Sequence, residues 1–271
     1  MEAMRRFILF VTLLTSCASN EHITSPNILI ADSGAYVFLL PDKAKINGYL
    51  TKKSKQELLV YGLPYVDVDT EIEIGDYKIM VVRKDFGESR IEIEDQNLVT
   101  PVLADQERAS AEYLRVKKIT QSESEQYSMN FKFQTPIKSV ITSAYGKRRF
   151  INNIQRSPHM ALDLRGVNGR EIFAPKKGKV VLVENHFYAG NKIILDHGGG
   201  LFTAYSHLSD FNVKMGDIVE TGDLIGFVGM TGRVTGPHLH WEVFLNGNRI
   251  NPELLVDLEY CLLYTSPSPR D

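Results

Sequence analysis

Five side chains in the second half of this chain have the types and spacing for metal-assisted hydrolysis. His238 and His240 stand two apart in Thr235-Gly236-Pro237-His238-Leu239-His240-Trp241-Glu242-Val243, where a Gly-Pro turn feeds an alternating run. That pattern predicts a strand, on which residues i and i+2 share a face. Both imidazoles then look one way, and Leu239, Trp241 and Val243 the other. Such a pair serves as two metal ligands, or as one ligand beside an acid/base. His159 and Asp163, in Pro158-His159-Met160-Ala161-Leu162-Asp163, are four apart and share a face if their segment is extended. Tyr205-Ser206-His207-Leu208 puts another imidazole at the end of a predicted strand. Zinc in hydrolases commonly takes three nitrogen or oxygen ligands and keeps a position open for water. Five candidates therefore leave two groups for proton transfer.

The other histidines have plainer readings. His22 falls in a polar tether, His186 either lines the cleft wall or, the preferred reading, is only structural, and His197, before Gly198-Gly199-Gly200, is a turn or supporting residue. Arg148 and Arg149, just ahead of the loop to His159, meet either a peptide carboxylate or solvent.

What must position these groups is β structure in two stretches. From 27 to 103, short apolar runs such as Tyr36-Val37-Phe38-Leu39-Leu40, Leu58-Leu59-Val60-Tyr61 and Ile79-Met80-Val81-Val82 alternate with turns such as Pro41-Asp42 and Gly75-Asp76. This predicts a small β-sandwich-like domain, and no catalytic cluster lies in it. Residues 104–130 read as a helix and a linker. The helix, over 105–119, takes Asp105 as N-cap and ends in Lys117 and Lys118, as the helix dipole favours, and 121–126 is polar. From 131 to 256 the runs Lys179-Val180-Val181-Leu182-Val183, Lys192-Ile193-Ile194-Leu195, Leu201-Phe202-Thr203-Ala204-Tyr205 and Leu224-Ile225-Gly226-Phe227-Val228 predict a second, mainly β domain. An antiparallel sheet or partly open barrel is expected, with Asn246-Gly247 as a hairpin turn after the His238 strand.

The two ends stand outside these domains. Residues 1–16 carry Arg5-Arg6 before a short apolar run, which reads as a signal peptide. Leu14-Thr15-Ser16-Cys17 resembles a bacterial lipobox, which implies a lipidated Cys17, a tether over 17–26 and attachment to a membrane. Ala18 after the Cys points, in a Gram-negative cell, to the periplasmic face of the outer membrane, so the expected location is the cell envelope. Residues 261–271, Cys261-Leu262-Leu263-Tyr264-Thr265-Ser266-Pro267-Ser268-Pro269-Arg270-Asp271, read as a translated sequencing adapter rather than native chain. With Cys261 discounted and Cys17 lipidated, no thiol pair is left for a disulfide or a Cys-ligated metal. The net charge of −2 gives no reason to expect nucleic acid as a partner.

In their order, His159…Asp163, His207 and His238-Leu239-His240 resemble the lysostaphin/LytM-type zinc peptidases of family M23, which cut cell-wall peptidoglycan. Ala174-Pro175-Lys176-Lys177-Gly178-Lys179-Val180, Asp196-His197-Gly198 and Thr231-Gly232-Arg233-Val234-Thr235-Gly236-Pro237-His238 carry the same resemblance, which covers residues 131–252. It implies one Zn2+ per chain held by His159, Asp163 and His240, with His207 and His238 as the catalytic histidines. It also implies peptidoglycan cross-links as substrate, in a Gram-negative cell the bond from D-alanine to meso-diaminopimelate. The first domain is similar to the one that often precedes the catalytic domain in Gram-negative members. No His-Glu-x-x-His helix supplies a carboxylate base, so imidazoles near the water take its proton.

Two other readings compete. One is a non-catalytic relative that binds or activates other cell-wall hydrolases; its mark is the loss of ligands, and none is lost here. The other is a lipoyl- or biotinyl-type carrier barrel, suggested by Gly216-Asp217, Gly222-Asp223 and Gly226, which leaves the histidines without a purpose. A β domain tethered this near the groove can also cover it, so residues 27–118 are expected to occlude the His159/Asp163/His240 site in part. The sequence points to no particular regulatory partner.

Overall fold

The computed structural model describes residues 29–53, 56–127 and 130–256. The expected signal segment, Cys17 with its tether, His22 and the 261–271 tail lie outside them. The described chain is mainly β.

Alternating apolar positions build the first region. Its elements are β1 (Leu29–Asp32), β2 (Tyr36–Leu39), the short helix α1 (Pro41–Ala44), β3 (Tyr49–Lys53), β4 (Gln56–Gly62), β5 (Thr70–Ile74) and β6 (Tyr77–Val82). Two three-stranded sheets result, ordered β1-β6-β5 and β2-β4-β3. Leu39, Leu59, Leu63, Ile79 and Val81 are fully buried in one cluster, which gives the expected sandwich-like pairing. Each such side chain stabilises the fold by about 1.5–3 kcal/mol.

This sandwich is not closed on itself. Tyr49 and Val60 belong to the same hydrophobic core as Leu245 and Ile250, far along the chain. Beyond β6, β7 (Glu88–Ile91) leads to the helical turn α2 (Gln96–Val99) and to α3 (Leu103–Thr120). The capping of α3 differs from expectation: Val102 is the N-cap residue, with no side-chain cap. Pro101 holds the preceding chain extended, and the Val102 carbonyl accepts from the N–H groups of Asp105 and Gln106. Asp105 lies one turn further in, where it still suits the positive helix end, and accepts from Asn97 Nδ2 at 2.6 Å. The helix buries Val116 against Leu182, Phe202 and Phe244. The polar run after it is tied down at both ends of its length. Gln126 exchanges hydrogen bonds of 2.6 Å with both backbone groups of Leu50, and Ser124 Oγ donates to Asp196 at 2.8 Å.

The remaining strands are β8 (Ile141–Ser143), β9 (Arg148–Ile151), β10 (Ile154–Arg156), β11 (Leu162–Arg165), β12 (Glu171–Phe173), β13 (Gly178–His186), β14 (Gly190–Asp196), β15 (Leu201–Phe211), β16 (Ile218–Val219), β17 (Leu224–Val228), β18 (His238–Leu245) and β19 (Asn248–Ile250). The main sheet runs β16-β13-β14-β15-β18-β11-β8, with β17 bridging β15 and β12. It curls without closing into a barrel. Asn246 and Gly247, both at positive φ, make the hairpin from β18 to β19 that their residue types demand. β9 pairs antiparallel with β10 and parallel with β7, so a strand from the first region completes a sheet in the second. One face of the main sheet buries Trp241, Tyr205, Leu239 and Val243. The other carries the site, with α3 packed alongside it.

Candidate metal centre

Strand register sets the cluster. Asp163 on β11 lies opposite His240 on β18, and His240 lies opposite Ser206 on β15. Directly opposed residues share a face, so these three form one row across the sheet. Leu239, Trp241 and Val243 are fully buried on the far face, and His238 and His240 stand together on the near one. His159 precedes β11 and is fixed through its backbone: its N–H donates to Lys147 and its carbonyl accepts from Gly146. Gly146, at φ +84°, has no room for a side chain, because a Cβ there would lie 2.3 Å from the Phe86 ring.

His207 reaches the cluster through an irregularity that periodicity does not show. Asn191 pairs with Leu208 and Ile193 with Tyr205, so Lys192 alone spans both Ser206 and His207. Regular alternation would send His207 to the face opposite Ser206. A bulge with His207 at φ +67° turns its ring back to the side of His240. The strand runs on to Phe211, so His207 is not at its end.

Three donor atoms close a tight triangle. His159 Nε2 is 3.0 Å from Asp163 Oδ1 and 3.3 Å from His240 Nδ1, which is itself 2.8 Å from Asp163 Oδ1. Hydrogen bonds alone satisfy this arrangement poorly. His159 Nδ1 lies 3.0 Å from the Ala144 carbonyl, an acceptor only, so its proton belongs there and the Nε2 lone pair is left facing two further acceptor-bearing atoms. A cation within the triangle resolves the conflict. Ligating histidines commonly give their other N–H to a carbonyl, and zinc bonds of about 2.0–2.2 Å suit donors this close together. Burial alone would raise the Asp163 pKa, but the His159 and His240 rings beside it reverse that and hold it well below the carboxylate range. The Asp163 carboxylate is thus ionised, as a ligand must be. Burial also pushes His240 down to about 4, which keeps it neutral.

The remaining two imidazoles are oriented alike. His207 Nδ1 donates to the Thr231 carbonyl at 2.8 Å, and His238 Nδ1 to the Gly236 carbonyl at 2.9 Å. Each therefore turns an unprotonated Nε2 to the cluster, and their ring centroids are 5.0 Å apart. Burial, with His240 and His238 beside it, holds the His207 pKa well below its ordinary value. His238 Nε2 lies 3.7 Å from Asp163 Oδ1. The donors group in two ways around a shared His240, as His159, Asp163 and His240 or as His207, His238 and His240, and only the first group contains a carboxylate.

All five sequence-derived candidates thus come together; His186 and His197 do not join them. His186 lines the cavity next to the cluster and lies 3.2 Å from Glu184. His197 is fully buried between the Lys177 carbonyl and Thr203 Oγ1, both at 2.8 Å. Sequence reasoning missed a buried ion network under the site. Glu242 pairs with Lys192, which also donates to Ser206 at 3.3 Å, and with Arg249 Nε at 2.8 Å. Despite its burial, these cations and His240 hold Glu242 far below the carboxylate range. Its signal was present: Glu242 is two residues past His240, so the same alternation puts it on the site face.

Comparisons with known proteins agree with this geometry. Residues 157–252 match peptidase family M23. The peptidoglycan DD-endopeptidase ShyA of Vibrio cholerae is 41% identical over 112 residues, which are 41% of this chain and 26% of that protein. The DD-carboxypeptidase/endopeptidase Mpg of Neisseria meningitidis is 39% identical over 94 residues, 35% of this chain and 22% of that protein. The chain thus spans about a quarter of the length of these relatives. In fold, a crystal structure of an M23 peptidase from Pseudomonas aeruginosa superposes with a TM-score of 0.65 at 23% identity, covering 86% of this chain and 96% of that one. The matched stretch holds every strand that presents Asp163, His207, His238 and His240, together with His159, and residues 157–252 are thus a peptidase family M23 domain.

Proposed function

We propose that this chain is a zinc-dependent endopeptidase that hydrolyses peptide cross-links of bacterial peptidoglycan, at the bond from D-alanine to meso-diaminopimelate. The observation that carries the reading is the donor triangle of His159, Asp163 and His240 with two base-competent Nε2 atoms beside it. The names of the similar DD-endopeptidases supply the substrate class.

His159, Asp163 and His240 would hold the ion. Zn2+, when bound, supplies a Lewis acid that makes water nucleophilic near neutral pH and polarises the scissile carbonyl. His207 and His238 supply the proton chemistry. An Nε2 lone pair accepts the proton of the attacking water and later delivers it to the leaving amine. The protonated imidazole faces the oxyanion that develops on the carbonyl and stabilises it. The Thr231 and Gly236 carbonyls keep both rings in the productive tautomer throughout. Glu242, on the same face, is committed to Lys192 and Arg249 and is not free to act as a base.

Lipid attachment at Cys17 and a place on the periplasmic face of the outer membrane belong to the same proposal, supported by residues 1–18 alone. Fatty-acid labelling that persists in Cys17→Ser would remove that part. For the activity, metal analysis of purified protein and digestion of isolated murein sacculi are the test. One zinc per chain with conversion of cross-linked into un-cross-linked muropeptides is expected; intact sacculi with a zinc-loaded protein would favour a non-catalytic binding module.

A further inference from the structure

The cavity beside the histidine cluster is lined by Arg149 and Arg233 together with His207 and His240. Four arginines on or beside the catalytic sheet have a carboxylate: Arg115 pairs with Glu184, Arg108 with Glu112, Arg148 with Glu88 and Arg249 with Glu242. These two do not. Arg149 makes no side-chain hydrogen bond or ion pair among the described residues, and the one carboxylate whose field it feels is Asp163, already committed to two histidines. Arg233 has its Cζ over the Tyr188 ring, 4.1 Å from its centroid, and its Nη1 donates at 3.3 Å to the Leu98 carbonyl, which carries no charge. Arg156 is a third cation close by, donating to the Val99 carbonyl at 2.6 Å while its buried Nε has no partner. Burial and the charges of Arg149 and Arg156 push Arg233 down to about 10.

Three half-buried guanidinium groups without a counter-ion destabilise a fold unless an anion joins them. They are also held still. Arg149 sits on β9, which is clamped between β10 and β7. The turn joining β9 to β10 has Asn152 and Asn153 at positive φ, the tight hairpin geometry. Arg233 is fixed by Tyr188 and by Leu98. The segment 88–99 from the first region thus braces both arginines. A rigid pair of forked donors matches a carboxylate better than any other group on a peptide.

We propose that Arg149 and Arg233 form a subsite for a carboxylate of the peptide substrate close to the scissile bond, so that the chain selects cross-links by a free acid at that place. The proposal rests on the hydrolase reading above and deepens it. Phosphate has similar donor needs, but a group bound this near the reacting bond belongs to the substrate, and on a peptide the anions are carboxylates.

The test uses the full zinc-loaded chain and two cross-linked murein peptide dimers, identical except that the carboxylates of one are amidated. Wild type is expected to cut the acid dimer with kcat/KM about 10- to 100-fold above the amide, the range of a charge-assisted fork. In Arg149→Gln and Arg233→Gln that ratio falls to within about twofold of one, while Arg148→Gln on the same strand keeps it. Affinity for the cleavage products, acid and amide, is measured alongside by calorimetry and needs no turnover. Equal kcat/KM on both dimers with equal product affinity overturns the subsite and leaves the hydrolase reading standing. If neither dimer is cut yet the acid product binds more tightly, and Arg149→Gln abolishes that difference, the subsite stands and the hydrolase reading falls. The wild-type ratio requires no variant to fold.

Discussion

Asp163 and His240 are direct partners across two antiparallel strands, with Oδ1 and Nδ1 2.8 Å apart and His159 Nε2 within 3.3 Å of both. The three are a unit, because removing any one leaves two donors that cannot enclose a cation. His240→Ala and His159→Ala are each expected to lose stoichiometric zinc, and Asp163→Ala likewise, with activity falling by at least about a hundredfold. Elemental analysis of the purified variants decides it; full occupancy in His240→Ala would show the assignment of ligands to be wrong.

His207 has the opposite expectation. Its Nδ1 is bound to the Thr231 carbonyl, and it belongs to the group with His238 and His240 rather than to the one that contains Asp163, so His207→Ala should retain zinc. Loss of a positioned base lowers turnover by roughly 10²–10⁴. Zinc content near one per chain with murein hydrolysis at background is the expected pair of results, and normal turnover would reassign the residue.

Stability should fall in acid through His197. It is fully buried, accepts from Thr203 at Nε2, and donates from Nδ1 to the Lys177 carbonyl; burial pushes it down to about 4. An unfolded histidine titrates near 6.5, so between those values the unfolded chain binds the extra proton. The contribution is complete above about pH 6.5 and is lost progressively toward about pH 4, by about 3 kcal/mol in all. Melting temperature against pH for wild type and His197→Gln measures it. The variant's curve should be flatter across that window, and two parallel curves would refute the assignment.

The expectation that residues before 118 obstruct the site narrows to α3. Ala109, Glu112, Tyr113 and Val116 line the cavity beside the histidines. The helix is held there by Val116 and by polar contacts of Arg108 with Asn185, Arg115 with Glu184 and Glu112 with the Phe187 N–H. Exposed pairs of this kind contribute about 1 kcal/mol or less each. Arg108→Ala with Arg115→Ala in the full chain should therefore raise the initial rate on sacculi several-fold. An unchanged or lower rate would mean that α3 merely buttresses the sheet. Truncation at 131 is the poorer experiment, since it strips Tyr49 and Val60 from the shared core and β7 from β9.

Much of the site was legible because strand alternation is a local property. His238, His240 and Glu242 fall on one face by counting alone, and Asn246-Gly247 dictates its own hairpin. The clustering of His207 was not, because a bulge shifts alternation by one residue and leaves no mark in composition. The start of α3 was misread by attending to Asp105 rather than to the chain direction imposed by Pro101. The arginine pair was seen only as Arg148-Arg149. Its partner Arg233 arrives through a loop 84 positions later, and whether a cation has a counter-ion is a question of tertiary contact. The polar run 121–126 looked like a spacer because Ser and Gln are as suited to solvent as to bonding the backbone groups of Leu50 and the Asp196 carboxylate.

The left-handed backbone at His207 bears on how such a chain can change over generations. An L-residue held there lies about 1–2 kcal/mol above glycine, which takes the same bulge without strain. A lineage that used this sheet only for attachment would be free to drift to glycine at 207 and would gain stability by doing so. A histidine at 207, where folding alone favours glycine, is accounted for by what its ring does, so residue 207 is a position at which a working and an inert sheet of this kind would be expected to differ.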